Sequence, residues 1–143
     1  MPRIFTGLEI PANVGAELAM LRGGLPGARW VDPENYHVTL RFIGDVDDVI
    51  AREVASALGQ VRRREFELRF EGLTSFGGRR PRAVVATLAR LRDSSSRQVA
   101  DYLASRALLQ PLPFPVSRFV LFSARASVGG GPYVVEAAYP LAA

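Results

Sequence analysis

Two hydrophobic periods take turns along this chain, and their alternation restricts it to a mixed α/β protein. Arg3–Ile10 alternates apolar and polar residues with the period of a strand. Pro11 opens a helix with Val14, Leu18 and Leu21 on one stripe, and Gly23 and Gly24 close it. Leu25–Asn35, marked by Pro26, Gly27 and Pro33, reads as a loop. Tyr36–Ile43, rich in β-branched and aromatic residues, is the second strand, stopped by Gly44. The acidic run Asp45–Asp48 then suits the start of a helix carrying Val49, Ile50, Val54 and Leu58. Glu65–Phe70 sets Phe66, Leu68 and Phe70 against Glu65, Glu67 and Arg69, a half-buried strand. Gly77–Pro81 is a turn and Arg82–Leu91 begins as a strand. Ser94–Leu109 is a helix with Val99, Leu103 and Leu108 inward. Ser117–Ala124 and Tyr133–Tyr139 are the last strands, joined through a hairpin at Gly129–Gly131. The stretch Pro111–Pro115 is too short for a domain linker.

A chain of 143 residues makes one compact domain, or two small lobes sharing a core. There are no cysteines, which excludes thiol nucleophiles, disulfides and cysteine-based metal sites and suits a reducing, cytoplasmic setting. The opening residues do not have the form of a signal peptide, because Glu9 interrupts their short apolar run, and no stretch has the ~20 apolar residues of a membrane helix. All 18 basic residues are arginine, and the net charge is +4. Arginine forks suit phosphates. An all-arginine surface is equally what a GC-rich genome produces, so charge by itself selects no partner.

The only histidine lies in His37-Val38-Thr39-Leu40. On a strand His37 and Thr39 project to one side, and Val38 and Leu40 to the other. An imidazole and a hydroxyl so placed can both touch one phosphate: the imidazole moves a proton near neutral pH, and the hydroxyl bonds a non-bridging oxygen. This strand is expected to line an open, phosphate-sized groove. Arg41, a further candidate contact, is expected on the apolar side, away from that phosphate. The plain alternative is a strand histidine with a satisfied hydrogen bond. Phe5 and Trp30 could each stack on a base or ribose; core packing is the stronger expectation for Phe5. Tyr133 is expected to pack beneath the site.

Beyond that tetrapeptide, several stretches in order resemble one family. Gly27-Ala28-Arg29-Trp30-Val31, then Pro33-Glu34-Asn35, then His37 through Val46 is similar to the first signature of the two-histidine phosphoesterases, the RNA 2',3'-cyclic phosphodiesterases also called 2'-5' RNA ligases. Arg3–Pro11, Phe66–Val85, Pro113–Val116, Phe119–Phe122 and Tyr133 resemble later and earlier parts of the same family. The resemblance implies an α+β fold: a single bilobal domain over 1–143, with two pseudo-symmetric lobes of mainly antiparallel sheet and outer helices around a central cleft. Each lobe would contribute one H-x-T strand. It implies cleavage of RNA 2',3'-cyclic phosphate ends to a 2'-phosphate, with ligation of 2'-5' linkages as the reverse reaction in some members. One histidine would act as base on water and the other would protonate the departing 3'-oxygen, while threonines hold the phosphate. No metal and no cofactor are implied. The implied partners are RNA ends, tRNA fragments among them, or small cyclic nucleotides, acted on by a cytoplasmic monomer without membrane contact.

The chain departs from that pattern at the second motif. Val85-Ala86-Thr87-Leu88-Ala89-Arg90 keeps Thr87 and Arg90, a phosphate grip and a bidentate phosphate partner by resemblance, but holds Val85 where the family has histidine. On the order of 35 residues, a helix and a strand with their connections, are missing between about 83 and 90 by comparison with the family. Two accounts are open. Either the protein has an internal deletion that removed the histidine, or the segment exists and falls outside the numbered residues; the abrupt join of a good strand to a good motif tail favours the second.

Overall fold

The computed structural model describes residues 3–72, 75–76, 83–84, 89–91, 95–105, 111–124 and 133–142. Its strands are β1 (Arg3–Glu9), β2 (Ala28–Trp30), β3 (His37–Asp45), β4 (Phe66–Phe70), β5 (Ser75–Phe76), β6 (Ala83–Val84), β7 (Ala89–Leu91), β8 (Leu112–Val116), β9 (Arg118–Ala124) and β10 (Tyr133–Pro140). The helices are α1 (Ala12–Ala19), α2 (Asp48–Leu58) and α3 (Ser96–Ser105). The chain divides into two compact units, one of residues 1–9, 37–68 and 114–143, the other of 10–36 and 69–113. It is an α+β protein whose paired strands run antiparallel.

The first unit holds a four-stranded sheet in the order β10-β9-β1-β3. Its two central strands are apolar on both faces, as strands covered on both sides must be. Ile4, Phe5 and Leu8 of β1 are buried, as are Phe119 to Phe122 of β9. Beyond β3 comes α2, whose start obeys the capping rule: the Asp47 carboxylate accepts a hydrogen bond from the Ile50 amide at 2.8 Å. The stripe expected on this helix is present in the sequence yet buries nothing fully, with Val49 55% and Ile50 41% exposed. The Tyr139 hydroxyl ties β10 to the helix by donating to the Ala55 carbonyl at 2.9 Å.

In the second unit, β2-β7-β6-β5 forms another antiparallel sheet. Val14 and Leu18 of α1 are buried with Leu21, Val31, Val99 and Tyr102, as the helical stripes require. Gly23 and Gly24 end α1's segment with φ of +96° and +80°, where other residues are strained. A reciprocal cap starts α3: the Ser95 amide donates to Gln98 Oε1 at 2.9 Å, and the Gln98 amide to Ser95 Oγ at 3.1 Å. β4 and β8 make a further two-stranded pair.

Two expectations need correction, and two others are refined. The loop read over 25–35 contains β2 and a 3-10 turn at Pro33–Asn35, because Ala28–Trp30 finds a partner in β7, which is remote in sequence. Gly44 does not stop β3; with φ of +103° it lets the strand continue past a register shift to Asp45. Pro111–Pro115 contributes to a strand, β8, in which Phe114 and Val116 are buried while Pro113 and Pro115 face outward. The helix read over 94–109 is present over Ser96–Ser105, and residues 94 and 106–109 lie outside the described residues. Leu108, the Gly129–Gly131 turn and the Gly77–Pro81 turn lie outside the described residues.

The join at the second motif is bracketed by structure. β6 and β7 pair as Ala83↔Arg90 and Val84↔Ala89, so four residues connect the last pair. Val85 and Thr87 are among them and lie outside the described residues.

Candidate functional site

The pairing register sorts side chains between the faces of the first sheet. Glu9 pairs with His37, Gly7 with Thr39 and Phe5 with Phe42. Directly opposed residues share a face, so His37, Thr39 and Phe42 stand on one side with Phe5. A register shift between Thr6 and Gly7 skips Leu40 and sets Arg41 opposite Thr6, on the other face. The Thr6 hydroxyl donates to the Arg41 carbonyl at 3.4 Å. The structure therefore unites His37 with Thr39 and separates Arg41 from them.

His37 Nε2 and Thr39 Oγ1 lie 3.0 Å apart in a hydrogen bond whose donor depends on the imidazole tautomer. His37 is 5% exposed, so the imidazole itself is not open to solvent as the groove expectation required. Three aromatic rings hold it: Phe5 at 5.0 Å between centroids, Phe122 at 5.5 Å, and Tyr133 edge-on at 4.9 Å. Thr39, by contrast, is exposed. The imidazole is thus fixed in an aromatic setting, with Nε2 directed at the hydroxyl of an exposed residue. Such packing reduces rotational freedom, as a group that must meet a reacting atom requires.

Phe5 serves this arrangement from below. It is buried, stacked on Phe122 at 5.1 Å, and belongs to a core cluster with Val120 and Phe122 against which Tyr133 packs. It is a wall of the histidine's pocket rather than a platform for a base. Trp30 is half-buried and its ring lies 5.7 Å from that of Tyr102. Arg90 lies on β7, opposite Arg29 and Ala83.

One residue of the site escaped sequence reasoning. A Cβ at Gly7 would stand 2.8 Å from the Val38 carbonyl oxygen and 3.0 Å from the Phe122 ring. Only glycine lets β3 approach β1 this closely beneath Thr39. The signal was there, a glycine interrupting the strand pattern of Arg3–Ile10. Ion pairs border the same face: Arg3 with Asp45 at 3.1 Å, and Arg118 with Glu9 at 2.6 Å. The hydrogen bonds and charge of Asp45 raise Arg3 above its ordinary value, and the Arg3 hydrogen bonds lower Asp45. Among the described residues no group of acidic or histidine side chains could hold a metal ion, and no helix is long and apolar enough to cross a membrane.

Residues 8–85, more than half of the chain, match the family described as LigT like Phosphoesterase. The chain belongs to that family of two-histidine phosphoesterases. An RNA 2',3'-cyclic phosphodiesterase of Aeropyrum pernix is 37% identical over 82 residues, covering 52% of this chain and 46% of that protein. One of Bacillus subtilis is 30% identical over 110 residues, 68% of this chain and 60% of that protein. The chain therefore spans about half the length of the curated relatives it matches. Among solved structures, E. coli LigT complexed with phosphate superposes with a TM-score of 0.72 at 20% identity, covering 99% of both chains. The E. coli LigT complex with 3'-AMP gives 0.69 at 19% identity over 99% of both. A Thermus thermophilus protein gives 0.74 at 21% identity over 96% of this chain and 97% of that one. At such identities these superpositions show the fold.

Proposed function

We propose that this chain opens 2',3'-cyclic phosphates at RNA ends to 2'-phosphates, with His37 as its acid–base group and Thr39 as a phosphate ligand. The observation that carries the reading is the 3.0 Å pair of His37 Nε2 and Thr39 Oγ1 on the H-x-T strand of a chain in this family. In the reaction a water oxygen bonds to phosphorus, the bond from phosphorus to the ribose 3'-oxygen breaks, and the phosphate stays on the 2'-oxygen. Water gives up a proton and the 3'-oxygen gains one. A lone imidazole can perform one of these transfers, and solvent would perform the other. Thr39 bonds a non-bridging oxygen as charge grows on it. From the sequence, Thr87 would hold a second oxygen and Arg90 would pair with the phosphate. The relatives named as cyclic phosphodiesterases and the E. coli structures holding phosphate and 3'-AMP support this substrate class.

The test is incubation with an oligonucleotide ending in a 2',3'-cyclic phosphate and analysis of the product. A 2'-phosphate is expected, and His37→Ala should abolish it. Parallel rates on cyclic mononucleotides and ADP-ribose 1'',2''-cyclic phosphate separate the RNA reading from other cyclic phosphates.

One observation favours a second reading. The sequence has a single histidine, and Val85 stands where the second motif would place another. A chain that binds cyclic-phosphate ends without cleaving them fits that loss. Binding of the oligonucleotide with no product would establish it.

A further inference from the structure

The acidic side chains of the first sheet are Glu9, Asp45 and Glu136. Glu9 is opposed to His37, and Asp45 to Arg3, so both stand on the face of Phe5, His37 and Thr39. Glu136 belongs elsewhere: its carboxylate accepts from Ser123 Oγ at 2.5 Å, and Ser123 is opposed to Ile4 on the other face. Each carboxylate on the histidine's face is gripped by an arginine fork. Arg118 donates through Nε and Nη2 to the two oxygens of Glu9 at 2.6 and 2.9 Å. Arg3 donates likewise to Asp45, at 3.1 Å to each oxygen.

Glu9 is the one beside the pair of interest. Directly opposed residues hold their Cβ atoms about 4.5–5.5 Å apart, and diagonal neighbours stand about 7–8 Å apart. Glu9 is opposed to His37 and diagonal to Thr39, whose own opposite is Gly7. Gly7 has no side chain to stand between them. A carboxylate left unpaired there would repel a phosphate arriving at Thr39, and at that distance the repulsion is felt. Both partners of the Glu9–Arg118 pair are partly open to solvent, with 40% and 49% of their side chains exposed. An exposed pair adds little to stability. Its larger effect is on the field that an approaching anion meets.

We propose that Arg118 is a positioning residue for an anionic substrate: acting through Glu9, it neutralises and holds in place the carboxylate beside His37, and so admits a phosphate to Thr39. The proposal rests on the reading of His37 and Thr39 as the phosphate site. Arg118 acts without touching the substrate. A pair that sets charge differs from a pair that merely braces two strands in the sign of its single variants. Losing either partner of a brace does the same harm, whereas losing the acid and losing the base of a charge shield have opposite effects on an anion.

The experiment measures binding of inorganic phosphate, and kcat and KM on a nucleoside 2',3'-cyclic phosphate, for the full chain and its variants at neutral pH and low salt. Arg118→Gln leaves the carboxylate unpaired and should weaken phosphate binding about threefold. Glu9→Gln frees the cation and should tighten binding by a similar factor. The double variant should return towards the parent chain, and Arg118→Lys, which keeps the charge, should stay near it. In turnover the changes should fall on KM rather than kcat. Salt at about 1 M should erase them, since screening then acts within ~3 Å. Weaker binding in both single variants, or differences that persist in salt, would make the pair a brace and overturn the proposal. Unfolding midpoints check that each variant folds; should Arg118→Gln not fold, Glu9→Gln alone decides, because a brace requires weaker binding and a shield tighter. If the parent chain turns over no cyclic phosphate, the catalytic reading fails by itself, and the order of phosphate affinities still decides the role of Arg118. If Thr39→Val leaves the parent's phosphate affinity unchanged, the phosphate site is elsewhere and the shield falls with it.

Discussion

His37 Nε2 and Thr39 Oγ1 share a hydrogen bond of 3.0 Å, although the first residue is buried among aromatic rings and the second is open to solvent. The pair links a buried imidazole to a residue at the protein surface. Truncating either side of it should separate their roles. His37→Ala should lower turnover of a cyclic-phosphate oligonucleotide by ~10²–10⁴-fold, the usual worth of an acid–base group. Thr39→Val keeps the strand and the imidazole but removes the phosphate bond, and should weaken binding of inorganic phosphate along with the rate. A Thr39→Val chain with unchanged phosphate affinity would remove Thr39 from the site.

Gly7 sets how closely β1 and β3 can meet under that pair. In Gly7→Ala the new carbon would lie 2.8 Å from a backbone oxygen at Val38, and backbone cannot step aside as a flexible side chain can. Overpacking of this kind costs about 1–3 kcal/mol. The denaturant midpoint should drop accordingly, and residual activity should fall too, because the shift occurs at Thr39's partner strand. A fully stable Gly7→Ala chain would show that the strands have room.

Much of this was legible in the sequence because it rests on short-range periodicity. Alternation in Arg3–Ile10 and the β-branched and aromatic residues of Tyr36–Ile43 located β1 and the site strand, and Pro11 and the Asp45–Asp48 run located α1 and α2. What escaped depends on partners remote in the chain. β2 exists because β7 pairs with it, and β8 tolerates Pro113 and Pro115 because they fall on its outward side. The burial of His37 likewise could not be read from residues 36–40, since its walls come from Phe5, Phe122 and Tyr133 on three other strands. Arg41 does face away from His37 and Thr39 as expected, and a bulge between Thr39 and Arg41 is what turns it.

The Tyr36 hydroxyl is buried and has no hydrogen-bond partner among the described residues. Burial raises its pKa, with Arg22 pulling the other way. A raised value means that the folded chain favours the neutral phenol. Its contribution is therefore constant below the ordinary tyrosine range and is lost as pH rises through the folded-state value. Tyr36→Phe removes both the unsatisfied oxygen and this alkaline sensitivity. Its stability should rise by about 1 kcal/mol at neutral pH, and the difference from the parent chain should widen in alkaline buffer. A loss of stability at neutral pH would count against an unpaired hydroxyl.

Asp45 responds at the other end of the pH scale. Two hydrogen bonds from Arg3, each 3.1 Å, hold its carboxyl below the usual range. A lowered folded-state value contributes stability above the ordinary carboxylate range and loses it as pH falls through the lowered value. The pair is solvent-exposed, so its effect is small and screened by salt. Unfolding midpoints of the parent chain and Asp45→Asn should differ slightly at neutral pH and low salt, then converge in strong acid. A gap that persists in acid would assign Asp45 a role other than its charge.

Phe42 is 61% exposed and shares the face of His37 and Thr39. Apolar residues on a site face are usually covered, and this ring stands two paired positions beyond Thr39, opposite the buried Phe5. On the proposed reading of Thr39 as a phosphate ligand, this exposed ring would receive the base attached to the reacting ribose. Stacking of a base on an aromatic side chain contributes about 1–3 kcal/mol and tolerates any base. Phe42→Ala should therefore raise KM for cyclic-phosphate substrates about tenfold or more, alike for purine and pyrimidine ends, while phosphate affinity stays constant. Because little of the ring is packed, the unfolding midpoint should barely move, whereas Phe5→Ala, which empties a core position, should cost about 3–5 kcal/mol of stability. Equal KM values for Phe42→Ala and the parent chain would leave the exposed ring without a part in substrate binding.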